Sequence, residues 1–251
     1  MLHHPSIVMV NYLNSKPFEY GLKNYKEKQD WKIMTATPAT CAQIYKDQEA
    51  DIALLPVGAL HNLHDYEIIT DYCIGCNGEV RTVCIFSNEP LEECHLLHLD
   101  THSLTSILLS KLLTTEYLGL DINYRSLSIT DYAAAPGEAV LMIGDKVFEY
   151  ENSFRYKYDL GALWKDWTGL PFVFALWIKR KGIDEKISLQ MNTAFEYGIS
   201  HLPDVISLEK NDTTDLYYYF SHHIQYKLDD QKRQALQLFL EKSAKFQLQL
   251  Q

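Results

Sequence analysis

Short apolar runs and helix-like segments alternate along the first half of the chain. Residues 7–10, 32–35 and 51–55 form runs of strand length, and the segments between them have helical spacing. Thr37 and Pro38 supply an N-cap and a first-turn proline for one helix, and Pro17 opens another. Strands that alternate with helices in this way predict a parallel sheet with crossover helices, and therefore an α/β fold.

The pattern changes in the middle of the chain and then restarts. Segments 67–74 and 80–87 are β-rich, and βα alternation resumes at residue 96. The further predicted strands are 96–100, 123–127, 139–143 and 171–178. The further predicted helices are 103–117, a short helix after residues 144–145, 161–168, 185–197 and 229–246. Two βα systems joined by two crossings predict two lobes with a hinge and a ligand cleft. We expect lobe 1 to contain residues 1–87 and 175–251, and lobe 2 to contain residues 88–174.

Composition narrows the class of protein. The chain has 251 residues, of which 47% are hydrophobic and 22% charged, and this is ordinary for a globular protein. Its formal net charge is −10, and it has no basic tract, so we expect no nucleic-acid partner. No apolar run reaches the roughly 18–20 residues of a membrane span, so we expect no membrane partner.

The N-terminus and the cysteines point to one compartment. The first residues lack the cationic start, long apolar stretch and small-residue cleavage site of a secretory signal. Five cysteines form no disulfide-like framework, which favours a reduced, cytoplasmic location. Cys73 and Cys76 form a single C-x-x-C. We interpret them as two small residues in a strand and the turn that follows it, in preference to a zinc site.

Several enzyme classes lack their sequence signatures. The chain has no P-loop, no G-x-G-x-x-G after the first strand, no G-x-S-x-G elbow and no H-E-x-x-H. The ten histidines are scattered. His61 and His64 form a local group, but no carboxylate completes a metal site there, so solvated surface is the favoured interpretation.

The loop after the first strand is one candidate site. Residues 11–17 include Tyr12, Asn14 and Ser15 at the point where a strand meets a helix N-terminus. Such a terminus offers free N–H groups and the positive end of a dipole. The alternative is a plain Asn-Ser turn that caps the helix.

The junction at residues 100–106 is a second candidate. It carries four hydroxyls within six residues, including those of Ser103, Thr105 and Ser106, beside backbone donors of the predicted helix. This arrangement suits a carboxylate or a phosphate. Either Thr101 or Ser103 is expected to cap the helix in any case.

Two further loops should lie near the predicted hinge. Asn77, Arg81 and Thr82 follow one turn, and Gly144 and Asp145 end a strand. The arginine is one of few cations available to hold an anionic ligand, and a salt bridge is its alternative role. The aspartate suits an N-cap as well as an active-site acid.

Five segments together resemble the chorismate dehydratase family of the futalosine route to menaquinone. In order, they are Y-L-N-S-K-P at 12–17, A-D-I-A-L-L-P at 50–56, S-L-T-S at 103–106, I-G-D at 143–145, and D-L-G-A-L-W with T-G-L-P-F-V-F-A at 159–164 and 168–175. Each motif alone has low specificity, but five in order are fairly specific. The similarity runs from about residue 7 to residue 178.

The resemblance implies a fold, a reaction and site residues. It implies a type 2 periplasmic-binding-protein-like two-lobe fold and the dehydration of chorismate, a small dicarboxylate, to 3-(1-carboxyvinyloxy)benzoate without metal or organic cofactor. Asn14 would lie at the reacting centre, and Ser103, Thr105 and Ser106 would belong to an anion-holding helix start. The chain departs from the family around the hinge turn, where Cys76, Asn77 and Thr82 replace serine and small residues.

Two other functions stay open. One is a sister enzyme of the same pathway and fold, which acts on a larger futalosine-derived intermediate. The other is a non-catalytic binding protein for a small anion. The Y-L-N and T-G-L-P-F-V-F-A motifs favour the dehydratase over the sister enzyme. A receptor would need a signal or lipid anchor, and a LysR-like sensor would need a helix-turn-helix.

Overall fold

The chain forms two compact α/β units. A computed structural model describes residues 5–25, 31–127, 135–209 and 214–247. Unit 1 comprises Met1–Gly75 and Val173–Asp229, and unit 2 comprises Cys76–Phe172 and Asp230–Gln251. The predicted α/β class is confirmed, since each unit contains a mixed sheet with helices. In the described ranges, no helix is both long and apolar enough to cross a membrane.

The strands and helices follow the predicted order. The strands are β1 (Ser6–Val10), β2 (Lys32–Ala36), β3 (Ile52–Pro56), β4 (Glu67–Cys76), β5 (Val83–Ser87), β6 (Leu96–Asp100), β7 (Asn123–Leu127), β8 (Glu138–Ile143), β9 (Tyr156–Asp159), β10 (Phe172–Lys179) and β11 (Gln225–Lys227). The helices are α1 (Lys16–Asn24), α2 (Pro38–Lys46), α3 (Leu104–Leu112), α4 (Val147–Tyr150), α5 (Leu160–Thr168), α6 (Glu185–Ser200), α7 (Leu202–Leu208), α8 (Leu216–Tyr218) and α9 (Asp230–Gln247). The sequence analysis did not predict β9, β11, α7 or α8.

The sheet of unit 1 has the strand order β11-β4-β10-β3-β1-β2. Strand β1 is parallel to β2 and β3, whereas β10 runs antiparallel to β3. Aromatic side chains fill the core beside it: the Phe18 and Phe195 ring centroids are 4.4 Å apart, and the Phe195 and Trp177 centroids are 4.9 Å apart. Because β1 and β3 are parallel, the loops that follow them leave the sheet at the same edge.

The sheet of unit 2 has the strand order β7-β6-β8-β5-β9. Strand β6 is parallel to β7 and β8, and β5 runs antiparallel to β8 and β9. This order brings the ends of β6, β8 and β9 and the start of β5 to the same edge of the sheet. Most of the candidate residues of this unit lie at that edge.

The predicted lobe limits need three corrections. Segment 76–87 belongs to unit 2, because β5 pairs with β8 and β9. Helix α9 also belongs to unit 2, because Phe239 packs against Phe172, with ring centroids 5.1 Å apart, and Lys242 pairs with Glu116 at 3.0 Å. The second crossing falls at 172/173 instead of 174/175. The prediction failed because apolar spacing on a helix does not show which core the helix covers.

All five cysteines are free thiols in buried positions. The Sγ of Cys73 is 3.8 Å from the carbonyl oxygen of Gln225. Burial raises the pKa of Cys41 to about 12 and holds that of Cys84 well above its ordinary value. The described residues contain no cluster of three or more potential metal ligands.

These thiols should therefore be unreactive in the folded protein. We expect 5,5′-dithiobis(2-nitrobenzoate) at pH 8 to modify none of the five within minutes, because the thiolate is the reactive form and burial disfavours it. All five should react in guanidinium chloride. Rapid modification of a cysteine in the native protein would contradict the prediction, and peptide mass spectrometry would identify the residue.

Candidate functional site

The loop after β1 is held by its own serine. The Ser15 hydroxyl donates to the carbonyl oxygen of Val10 at 2.6 Å and lies 2.8 Å from that of Tyr12. Ser15 is almost fully buried, at the end of a short 3-10 helix, Leu13–Ser15. Its hydroxyl therefore fixes the loop conformation and does not point to a ligand. Tyr12 is half-buried and precedes this turn.

Asn14 differs from Ser15 because its amide oxygen lacks a hydrogen-bond partner in the described residues. Its amide oxygen is buried and has no hydrogen-bond partner in the described part of the chain. Its backbone carbonyl accepts a hydrogen bond from the Tyr226 hydroxyl at 3.1 Å, which anchors the residue to β11. An unpaired buried amide oxygen costs about 1–3 kcal/mol and calls for a functional explanation.

The N-terminus of α3 has the predicted serine cap. Ser103 has extended backbone angles, and its Oγ accepts hydrogen bonds from the Ser106 amide at 3.4 Å and from the Ser106 hydroxyl at 3.1 Å. Ser103, not Thr101, is thus the capping residue. Thr105 and Ser106 are buried in the first turn, where helix N–H groups lack intrahelical acceptors.

Three charged or titratable side chains that the sequence analysis missed meet beside this helix start. Asp100, the last residue of β6, is fully buried. Its Oδ1 accepts hydrogen bonds from the His102 amide at 3.0 Å and from the His102 Nδ1 at 2.6 Å, and its Oδ2 pairs with the Lys146 ammonium. A carboxylate at the end of a buried strand, two residues before a histidine, was the available signal. The lysine is 46 residues away in sequence.

The start of β5 and the end of β8 are joined by backbone. The Gly144 amide donates to the carbonyl oxygen of Thr82 at 2.8 Å, and Gly144 has a φ of 72°, which favours glycine. Thr82 is buried, Asp145 is half-buried and Asn77 is exposed. Lys146, and not Asp145, occupies the N-cap position of α4, so the capping alternative for Asp145 does not hold.

Arg81 makes the salt bridge that was its alternative role. Its Nη2 is 2.8 Å from Oε1 of Glu151, and its guanidinium lies 5.4 Å from the ring centroid of Phe148. Although burial opposes it, pairing with Lys157 and Arg81 holds the pKa of Glu151 below its ordinary value. Glu151 therefore partly balances the positive charges of both Arg81 and Lys157.

Asp159 determines the backbone conformation around Arg81. Its Oδ2 accepts the Arg81 amide at 2.7 Å, and its Oδ1 accepts those of Val80 and Ala162 at 3.1 Å and of Gly161 at 2.9 Å. These bonds explain why β5 begins at Val83 and not at the predicted residue 80. The φ of Arg81 is 68°, a conformation that costs a non-glycine residue about 1 kcal/mol.

The start of α5 packs closely against the turn that follows β4. A Cβ atom on Gly161 would lie 2.5 Å from the carbonyl oxygen of Gly78 and 2.6 Å from Sγ of Cys76. The glycine of the D-L-G motif therefore has a steric reason. The cysteine that departs from the family pattern forms part of this contact.

The predicted site residues are thus divided between the units. Tyr12, Asn14 and Ser15 lie in unit 1, whereas Asn77, Arg81, Thr82, Ser103, Thr105, Ser106, Gly144 and Asp145 lie in unit 2. Within unit 2, strand order brings the α3 start, Thr82 and Gly144 to one sheet edge. The residues missed there are Asp100, His102, Lys146 and Asp159.

Comparison with solved structures identifies the fold. Protein AF1704 from Archaeoglobus fulgidus matches with a TM-score of 0.74 and 14% identity over 98% of this chain and 100% of that one. The Candida albicans CA3427 gene product, described as exhibiting the generic periplasmic binding protein structural fold, matches with a TM-score of 0.68 and 10% identity over 98% and 90% of the two chains. The protein therefore has a periplasmic-binding-protein-like two-lobe α/β fold, as the resemblance implied.

Comparison of sequences identifies the family. A family model described as menaquinone biosynthesis matches residues 5–245. A chorismate dehydratase from Thermus thermophilus is 24% identical over 253 aligned positions, which cover 92% of each chain. The chain belongs to the menaquinone biosynthesis family.

Proposed function

We propose that the protein is a chorismate dehydratase that forms 3-(1-carboxyvinyloxy)benzoate. The observation that carries the proposal is the similarity to the Thermus thermophilus enzyme over 92% of both chains. The amide of Asn14, whose oxygen has no partner in the described residues, and the polar start of α3 supply groups that fit such a substrate.

The proposed reaction needs little from the protein. A proton leaves the ring carbon that bears the enolpyruvyl ether, the neighbouring C–O bond breaks, and the hydroxyl departs as water. The electron pair of the C–H bond becomes part of an aromatic ring, which makes the reaction strongly favourable. The protein must orient the substrate, stabilise the leaving hydroxyl and provide for the proton.

The site residues divide this work. The amide N–H group of Asn14 donates a hydrogen bond to the leaving hydroxyl. A carboxylate of the substrate itself accepts the ring proton and passes it to that hydroxyl, which leaves as water. Backbone N–H groups and hydroxyls at Ser103, Thr105 and Ser106 hold a substrate carboxylate. Tyr12 and Ser15 shape the loop that carries Asn14. The remaining proposed substrate contacts come from the loops after β4 and β8, at Asn77, Arg81, Thr82, Gly144 and Asp145.

The test is direct incubation of purified protein with chorismate. The diene absorbance should fall while an aryl ether appears, and mass spectrometry should show the loss of one water. Binding of chorismate without turnover would instead support the non-catalytic anion-binding alternative. No binding, together with turnover of a futalosine-derived intermediate, would support the sister enzyme.

A substitution at the α3 start tests the carboxylate contact. Thr105→Val keeps the shape of the side chain and removes its hydroxyl, so KM for chorismate should rise about ten-fold, because a hydrogen bond to a charged group contributes roughly 1.5–3 kcal/mol. Ser106→Ala should have a smaller effect if backbone N–H groups hold most of the charge. Steady-state kinetics beside thermal melting measures both.

Thr114→Val is the matched control for this substitution. Thr114 is also a fully buried threonine of unit 2, and its hydroxyl donates to the Ser110 carbonyl at 2.8 Å. It should lower Tm without changing KM. An unchanged KM in both Thr105→Val and Ser106→Ala would place the carboxylate elsewhere.

A further inference from the structure

The side-chain cluster around Asp100 combines one buried carboxylate with two partly exposed partners. Asp100 is fully buried, whereas the side chain of Lys146 is 25% exposed and that of His102 is 39% exposed. The His102 Nδ1 and the Lys146 ammonium both point to the Asp100 carboxylate. Nε2 of His102 has no hydrogen-bond partner in the described ranges.

Asp100 therefore acts as a fixed hydrogen-bond acceptor for the side chains of His102 and Lys146. A lysine ammonium has three N–H donors, and one of them suffices for Asp100. The histidine ring is oriented by its Nδ1 bond, which leaves Nε2 as its outward atom, and Nε2 donates to an anion when the ring carries both of its protons. Because the buried carboxylate holds both groups, little side-chain freedom remains to be lost when they bind a ligand.

The charge balance favours an anionic ligand at this place. The protein carries a formal net charge of −10, so a multiply charged anion needs local cations or neutral donors. Arg81 is paired with Glu151 at 2.8 Å, and Glu151 also binds Lys157 at 2.7 Å. Lys146 is also paired, with Asp100, but it follows the end of β8 and lies beside the start of α3.

We propose that Lys146 and His102, held by Asp100, bind the second carboxylate of a dicarboxylate whose first carboxylate lies at the α3 start. This inference deepens the proposed function and rests on it for the identity of the substrate. Asp100 is a positioning residue, while Lys146 and His102 contact the ligand. The cluster thereby selects a dicarboxylate over a monocarboxylate.

The test compares two inert aromatic probes by isothermal titration calorimetry. The wild-type protein should bind isophthalate, with two carboxylates, about ten-fold more tightly than benzoate, with one, as one charge-assisted contact predicts. Lys146→Met and His102→Gln should each reduce this ratio to about three-fold or less without weakening benzoate. Lys146→Arg, which retains a cationic donor, should restore most of the ratio.

Matched controls separate binding from stability. Lys242→Gln removes a lysine that pairs with Glu116 at 3.0 Å in the same unit, and His222→Gln removes a histidine whose Nδ1 is 2.8 Å from the Ser221 hydroxyl. Both should keep the wild-type ratio. Melting curves show whether each variant is folded. If Lys146→Met does not fold, Lys146→Arg serves as the informative variant.

Kinetics with chorismate supply the second readout. Lys146→Met and His102→Gln should raise KM about ten-fold and leave kcat within about three-fold, as expected for lost binding. An unchanged probe ratio in both variants, or a fall in kcat alone, would overturn the inference. A different result is that the protein fails to turn over chorismate while its preference for isophthalate still depends on Lys146 and His102. That result would support the carboxylate site and reject the proposed reaction.

Discussion

Asn14→Ala is expected to lower kcat for chorismate by at least about 100-fold. Removing one hydrogen-bond donor that stabilises developing charge typically costs 10²–10³ in rate. The amide oxygen of Asn14 has no hydrogen-bond partner in the described residues, so substitution by alanine breaks no hydrogen bond to that oxygen. Removing an unsatisfied buried acceptor should leave Tm unchanged or higher. Loss of activity with retained stability would identify a residue selected for function.

The control for this prediction is Asn24→Ala in the same unit. Asn24 is exposed at the end of α1, where its side chain donates to the Tyr20 carbonyl at 3.0 Å. It should keep wild-type turnover, with at most a small loss of stability. If Asn14→Ala keeps nearly full turnover, Asn14 does not assist the leaving group.

Asp159→Asn is expected to produce the largest loss of stability. Both carboxylate oxygens of Asp159 accept backbone N–H groups, from Val80 and Arg81 on one side and from Gly161 and Ala162 on the other. An asparagine has one acceptor oxygen, so its NH₂ group would face N–H donors. Bonds to a charged acceptor contribute about 1.5–3 kcal/mol each, and we expect a loss of roughly 2–4 kcal/mol.

Thermal unfolding measures this effect. A loss of that size corresponds to a fall in Tm of roughly 5–15 °C for a protein of this length. The matched control is Asp184→Asn, which changes an exposed N-cap of α6 that accepts one amide, from Lys186, at 2.9 Å. It should cost less than about 1 kcal/mol. Equal effects in the two variants would show that the additional backbone bonds of Asp159 contribute nothing.

Features that depend on neighbouring residues were predictable from the sequence. The sequence predicted β6 and β7 with their observed bounds, and β6, L-L-H-L-D, is the short and mostly apolar run expected of a strand in a buried sheet. The caps at Thr37 and Ser103 were predictable too, because a cap bonds an amide three residues ahead. The positions of Asn14 and of the α3 start followed from the same local junctions.

The tertiary structure decided which distant segments meet. It placed α9 in unit 2, because the apolar face of a helix does not specify which core it covers. It also joined Lys146 to Asp100 and Asp159 to Arg81, pairs separated by 46 and 78 residues. Such pairs depend on strand order in the sheet, and alternating polarity encodes burial but not strand order. The sequence by itself therefore determined most of the elements and the polar loops that follow them, whereas the sheet topology decided which charges act together.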